Sequence, residues 1–170
     1  KDAQFLDTFN ETDSSYTSKP VTKKITIRHL ITHTSGIGYG FIDSDSRIRK
    51  IYQKTGIIDA FTDQPITIKE NIKKLTKLPL HFNPGEKYSY SEGLDVLGYF
   101  IEVISGKPLD VFFKEHIFDP LGMKDTRFYF PESKSNRLVS IQTKKDNKWK
   151  DYSSDLYETD FPVKGAKTFF

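Results

Sequence analysis

Apolar positions recur at helical spacing in several stretches of the chain, separated by polar, turn-forming residues. Ile27, Leu30 and Ile31 follow Thr26, a residue type favoured at N-caps, and predict a short helix over residues 27–33. Gly36-Ile37-Gly38-Tyr39-Gly40 comes next; glycine at alternate positions ends a helix and lets backbone pass close to another group. A second, basic helix is predicted from Ser44 or Asp45 to Lys54, with Gly56 just past its end. Thr67-Ile68-Lys69-Glu70 is a capping box, and Ile68, Ile72 and Leu75 carry a helix to about Lys77 before Pro79 stops it. The strongest helical signal is Leu94, Leu97, Gly98, Ile101 and Ile104, starting at Ser91 and closed by Gly106. Pro108 suits the first turn of a further helix with Val111, Phe112, Ile117 and Phe118 on its apolar side, broken by Asp119-Pro120-Leu121-Gly122.

The remaining segments follow other patterns. Residues 1–24 are polar and turn-rich around Asn10-Glu11-Thr12-Asp13-Ser14-Ser15, show no clear period, and read as an extended lead-in. Residues 81–90 form a loop containing the turn Asn83-Pro84-Gly85-Glu86. Residues 126–130 suggest a short strand, and residues 138–143 and 148–152 a hairpin around Lys145-Asp146-Asn147. The last residues end on Phe169-Phe170 with no polar tail, which suggests a chain cut from something longer. There is no internal repeat. The expected class is α+β, helical in the first two-thirds with small β pieces near the C-terminal end.

Composition narrows the function. The 26 basic and 23 acidic residues leave a net charge of +3 over 170 residues, no footprint for nucleic acid. Only 36% of residues are apolar, but 14 Phe, 9 Tyr and 1 Trp add buried area per residue. No apolar run approaches the roughly 18 residues a membrane span needs, and Lys1-Asp2-Ala3-Gln4 does not open a signal peptide. The absence of Cys excludes disulfides, thiolate metal sites and a Cys nucleophile, without fixing the compartment. These features describe a globular piece acting on a small molecule.

Four patterns carry candidate chemistry. His29 and His33 share one helix at a spacing able to hold zinc, but Leu30 stands where a metalloprotease has Glu and no third ligand is evident; packing or hydrogen bonding by His33 at the helix end is the better account. The Gly36–Gly40 run follows a helix rather than a strand, so it reads as a loop lining a cleft and not as a phosphate cradle. Lys54-Thr55-Gly56 spells a motif of penicillin-recognising enzymes, but on a helix end rather than a strand. Tyr88-Ser89-Tyr90-Ser91-Glu92 lies just before the strongest helix, where side chains can point into a cleft. On pattern alone, Tyr90 reads as a buried aromatic with a bonded hydroxyl, because a phenol with a pKa of about 10 is a poor base unless a cation holds it ionised.

Four ordered motifs then carry a family resemblance over roughly residues 20–130. Residues 25–36, Ile-Thr-Ile-Arg-His-Leu-Ile-Thr-His-Thr-Ser-Gly, resemble a segment of the serine β-lactamase-related family, which groups class C β-lactamases, D-Ala-D-Ala carboxypeptidases and β-lactamase-fold esterases. Asn83-Pro84-Gly85-Glu86-Lys87-Tyr88-Ser89-Tyr90-Ser91 resembles its Tyr-Ser loop; Leu94-Asp95-Val96-Leu97-Gly98 and residues 115–126 resemble the signatures that follow. The resemblance implies acyl transfer through a Ser in Ser-x-x-Lys, with Tyr90 as general base and a nearby Lys⁺ depressing its pKa. It further implies that Tyr39, Gly40 and Phe41 line the substrate cleft and that Ser91 and Glu92 belong to the substrate-binding side of the Tyr loop. Class C enzymes carry Asn where this chain has Glu92, which favours an ester or another amide over a β-lactam. No cofactor and no metal is implied, and the partner is a small-molecule acyl substrate met outside the cytoplasm, in the periplasm or extracellularly.

No Ser or Thr here has Lys three residues later, so the nucleophile motif is expected upstream of this chain and the Lys-Thr-Gly strand downstream. By the same resemblance the chain is mainly the helical subdomain of a β-lactamase/transpeptidase-like fold. Residues 1–24 lead in, residues 25–130 form the helical subdomain with the Tyr loop, and residues 131–170 form a hairpin and a connection toward a missing sheet domain. The fragment alone is expected to be inactive. The alternative is a non-catalytic binding or structural module on the same scaffold, with Tyr90 merely packed.

Overall fold

The computed structural model describes residues 2–59, 66–128, 131–137, 139 and 142–151. Its first element was not foreseen. Strands β1 (Gln4–Phe9) and β2 (Tyr16–Pro20) pair antiparallel, from Gln4 opposite Pro20 to Phe9 opposite Tyr16. The register shifts between Leu6 and Thr8, and β2 has no buried residue, so neither strand shows the alternation that reveals a hairpin. The polar run between them is the turn: the Asn10 amide donates to the Ser15 carbonyl at 2.8 Å, and Ser14 takes φ 58°. The Leu6 amide reaches the Leu80 carbonyl at 2.7 Å and the Leu80 amide the Gln4 carbonyl at 2.8 Å, so β1 is tied to the segment before the Tyr loop.

Helix α1 (Ile27–Ile31) opens with a capping box in which His29 takes the part usually played by Glu. Its Nδ1 accepts from the Thr26 amide at 3.3 Å while Thr26 Oγ1 accepts from the His29 amide at 3.2 Å. The helix ends two residues before the expected limit because His33 turns left-handed, at φ 53°. Helix α2 (Ser46–Thr55) is capped by Asp45 and closed by Gly56, which places Lys54 and Thr55 on its last turn. Helix α3 (Ile68–Leu75) starts on the Thr67–Glu70 capping box. Its Asn71 amide group holds both backbone polar groups of Ile58, at 2.9 and 2.8 Å. Together α2, α3 and β1 enclose the core. Leu6, Ile37, Ile48, Ile51, Tyr52, Ile72 and Leu75 are buried there, and each large apolar side chain contributes about 1.5–3 kcal/mol relative to exposure.

Helix α4 (Gly93–Ser105) packs against α1 and α3 and is closed by Gly106. Leu94 and Ile104 on its apolar face remain 48% and 66% exposed. Helix α5 (Leu109–Phe113) follows Pro108 and widens into a π turn (Lys114–Phe118) that gathers Phe113 and Phe118 against Phe128. Residues 126–128 are irregular rather than a strand, and residues 129 and 130 of that expectation lie outside the described residues. A bidentate pair between Asp125 and Arg137, at 2.8 and 2.9 Å, ties the chain to a short 3₁₀ turn (Glu132–Arg137). Strands β3 (Gln142–Lys145) and β4 (Lys148–Asp151) form the expected hairpin, with Asp146 and Asn147 both at positive φ in the two-residue turn. The rest of the expected connection, residues 152–170, lies outside the described residues. The class is α+β, with five α-helices and short strands among the described residues.

Candidate active site

The loop before α4 delivers Tyr90. Pro84 and Gly85 form its first turn, the Glu86 amide donating to the Asn83 carbonyl at 3.2 Å with Gly85 at φ 87°. The Gly85 amide then bonds the Thr34 carbonyl at 2.8 Å and the Ser89 amide the His33 carbonyl at 2.9 Å, laying the loop along the end of α1. Tyr90 is half exposed, so the expectation of a buried ring with a bonded hydroxyl fails: among the described residues none hydrogen-bonds that hydroxyl. Other rings hold it instead. The His33 ring lies 4.8 Å away at 30°, and the Tyr39 ring 5.3 Å away at 34°.

Tyr39, Gly40 and Phe41 stand on a loop whose amides are caught by side-chain acceptors. The Gly38 amide donates to the Tyr52 hydroxyl at 3.0 Å and the Tyr39 amide to Asp43 Oδ2 at 2.9 Å. Asp59 receives the Gly40 and Phe41 amides, both at 3.0 Å. Phe41 is exposed, and Tyr39 forms one wall beside Tyr90. Burial first, then the Asp95 carboxylate, pushes the Tyr39 phenol up to about 12.

Asp43 is the anchor of this loop. Its side chain is fully buried, with Oδ2 3.2 Å from His81 Nε2, a close contact off the line of a good hydrogen bond. Burial alone pushes the carboxyl up, but His81 and the amides of Tyr39 and Asp45 outweigh it and hold it below the ordinary carboxylate value.

Ser91 and Glu92 lie beneath the Tyr loop, 3% and 2% exposed. Ser91 Oγ is 3.1 Å from His33 Nδ1 and accepts from the Gly93 amide at 3.2 Å. The Glu92 amide donates to the Gly38 carbonyl at 3.1 Å and so joins the two loops, while its carboxyl oxygens have no hydrogen-bond partner among the described residues. Burial, followed by the neighbouring Asp59 carboxyl, pushes Glu92 up to about 10. Asp95, one turn into the helix, is pushed by burial to about 6. Glu92 was named from its place in the Tyr loop, but neither its burial nor that of Asp95 has a sequence signal, since a carboxylate's burial depends on what packs over it. Asp95, His33, Asp43, Asp59 and His81 were not singled out as site residues, because each acts on a partner distant in sequence or on backbone.

These groups border a groove of about 260 Å³ lined by Tyr39, Ile42, Ser44, Tyr88, Ser89 and Tyr90. It adjoins a polar recess of about 420 Å³ bearing His81 and Lys87. A more enclosed apolar cavity of about 340 Å³ lies between β1 and α3, away from Tyr90. Among the described residues no group of three or more His, Asp or Glu side chains is placed to hold a metal ion. No helix among them is long and apolar enough to cross a membrane.

Comparison with known proteins places this arrangement in context. The profile of the Beta-lactamase family matches residues 15–162. Esterase EstB of Burkholderia gladioli is 38% identical over 108 residues, covering 64% of this chain and 27% of that protein. Lovastatin esterase of Penicillium rubens is 35% identical over 118 residues, covering 69% and 27%. Among solved structures, EstCE1, described as a hydrolase with promiscuous acyltransferase activity, superimposes with a TM-score of 0.67 at 27% identity, over 81% of this chain and 34% of its own. A LovD6 mutant of simvastatin synthase from Aspergillus terreus gives 0.67 at 25% identity, over 90% and 34%. The chain thus spans about a quarter of the length of these curated relatives.

Proposed function

The chain belongs to the beta-lactamase family, and on that premise we propose that it is the tyrosine-bearing part of a serine acyl hydrolase, with Tyr90 as general base. One observation carries the reading. The phenol of the family-type Tyr loop packs against two rings at the edge of a groove, half exposed, rather than in the core. A tyrosine kept only for packing would bury its ring and bond its hydroxyl.

In the proposed reaction a Ser hydroxyl of the parent protein, activated beside a Lys, attacks the acyl carbon. The Ser Oγ–C bond forms as its proton passes to the Tyr90 phenolate, and Tyr90 returns that proton to the departing alkoxide as the acyl C–O bond breaks. Water or an alcohol then takes the acyl group from Ser by the same steps in reverse. The named relatives are esterases, a hydrolase with acyltransferase activity, and a methylbutanoyltransferase of Aspergillus terreus, which supports an ester as acyl donor. Tyr39, Gly40 and Phe41 would face that substrate, with Ser91 and Glu92 holding the loop from beneath. With no Ser or Thr followed three residues on by Lys, these 170 residues alone would be inactive.

Intact-mass spectrometry after incubation with a p-nitrophenyl ester tests the reading. The 170-residue chain is expected to stay unmodified, and the parent protein to form an acyl adduct that Tyr90→Phe slows by about 10²–10⁴-fold. An adduct on the 170-residue chain, or a parent whose acylation ignores Tyr90→Phe, overturns it; the second result would return Tyr90 to a packing role on a binding module.

A further inference from the structure

Tyr90 is followed and preceded by residues fastened to a single side chain and its backbone. The Ser89 amide donates to the His33 carbonyl at 2.9 Å, and the Ser91 amide donates to His33 Nδ1 at 3.2 Å. Ser91 Oγ, 3.1 Å from the same Nδ1, accepts from the Gly93 amide. Because an amide can only donate, Nδ1 must present a lone pair, and the ring proton belongs on Nε2. The hydroxyl, already accepting from Gly93, turns its own proton to Nδ1. A directed relay therefore runs from the first amide of α4 to the His33 ring, and that ring lies 4.8 Å from the Tyr90 ring.

The backbone of His33 is arranged for this. After α1 the His33 amide closes on the Leu30 carbonyl at 3.3 Å and the Thr34 amide on the His29 carbonyl at 2.9 Å, which forces residue 33 to φ 53°. His, Asn and Asp adopt this left-handed conformation several-fold more often than other non-glycine residues. Such a conformation persists where surrounding contacts over-determine it.

We propose that His33 is a positioning residue for the Tyr90 phenol, acting as a neutral imidazole that clamps Ser89 and Ser91 on either side of Tyr90 and backs its ring. The proposal rests on the reading of Tyr90 as general base. It assigns His33 no contact with substrate; its effect reaches the reaction through the placement of the phenol. A misplacement of the order of 1 Å in a reacting group can cost about 10²-fold in rate.

Two substitutions that tolerate the left-handed backbone separate the contributions. His33→Gly removes ring and acceptor without backbone strain, whereas His33→Asn restores an acceptor oxygen near the position of Nδ1. In the parent protein, with a p-nitrophenyl ester, His33→Gly is expected to lower kcat by about 10²-fold while KM moves less than about threefold, and His33→Asn to recover about tenfold of that loss. If His33→Gly keeps the wild-type kcat while Tyr90→Phe abolishes acylation, the positioning role is overturned and the role of Tyr90 stands. If Tyr90→Phe itself has no effect, the reading beneath the proposal falls, and the proposal with it. On the 170-residue chain, ¹⁵N NMR of the His33 ring at neutral pH provides a readout independent of activity. The Nε2–H tautomer with slowed exchange at the Ser89 and Ser91 amides supports the clamp; a proton on Nδ1 overturns it.

Discussion

Asp59 bridges two consecutive amides of the cleft loop, its Oδ1 accepting from Gly40 and its Oδ2 from Phe41, both at 3.0 Å. Only glycine leaves room for it, since a Cβ at residue 40 would stand 1.7 Å from Oδ2. Gly40→Ala must therefore displace the carboxylate and free both amides. The Gly40 amide is buried, and a buried unmet donor costs about 1–3 kcal/mol, so chemical denaturation should show a loss of about that size. Asp59→Asn should lose less, because one amide oxygen still accepts. Equal stability of Gly40→Ala and wild type would refute the bridge.

Asp43 and His81 place the same loop from its other end. With the Asp43 side chain fully buried and the amides of Tyr39 and Asp45 donating to it, Asp43→Asn should cost about 1–3 kcal/mol at pH 7, the range for leaving a buried hydrogen-bonding group unmet. The pH dependence has a definite sign. The folded-state pKa is held below its ordinary 3.8, so the stabilisation is present above that value and is lost as pH falls through the folded-state value. Thermal melts at pH 7 and pH 3 should show the gap between wild type and Asp43→Asn narrowing in acid. A gap that widens in acid contradicts the assignment.

Local signals were readable where local chemistry decides the structure. The Thr67–Glu70 box, Asp45 and Gly56 about α2, Gly106 after α4 and the Asp146-Asn147 turn all act within a few residues, and each is where the pattern put it. The β1–β2 hairpin escaped because its irregular register cancels the alternation, and the π turn after α5 because nothing in the pattern distinguishes it from ordinary helix. The motifs located the Tyr loop but not what holds it. His33 lies 58 residues from Ser91 and Asp43 meets His81 across the fold; neither pairing has a local signature. Tyr90, on pattern alone a buried ring, is half exposed, and the burial of Glu92 beneath the Tyr loop had no local signal.

Helix α4 shows what periodicity can and cannot specify. Its apolar stripe was the clearest in the chain, yet Leu94 and Ile104 are 48% and 66% exposed. Amphipathicity defines a face without naming what covers it. In the isolated chain, Ile104→Glu should change stability by no more than about 0.5 kcal/mol, as at other surface positions, and should reduce self-association. Size-exclusion chromatography with light scattering, combined with thermal melts, checks both. A loss of several kcal/mol would mean that Ile104 is packed in solution.

Glu92 offers the most direct test of the site's electrostatics. Burial raises its folded-state pKa to about 10 from an ordinary 4.5. Below the ordinary value both folded and unfolded chains hold the proton, and its stabilising contribution is complete. Between the two values the unfolded chain releases the proton while the folded chain retains it, so stability falls as pH rises, by at most about 1.4 kcal/mol per pH unit for one proton. Glu92→Gln keeps the shape and removes the titration. Its Tm relative to wild type should therefore climb between pH 5 and pH 9, at about 2–4 °C per kcal/mol for a chain of this size. Parallel pH profiles for the two proteins would show that Glu92 is ionised in the folded state, with a cationic partner or solvent reaching the carboxyl beneath the Tyr loop.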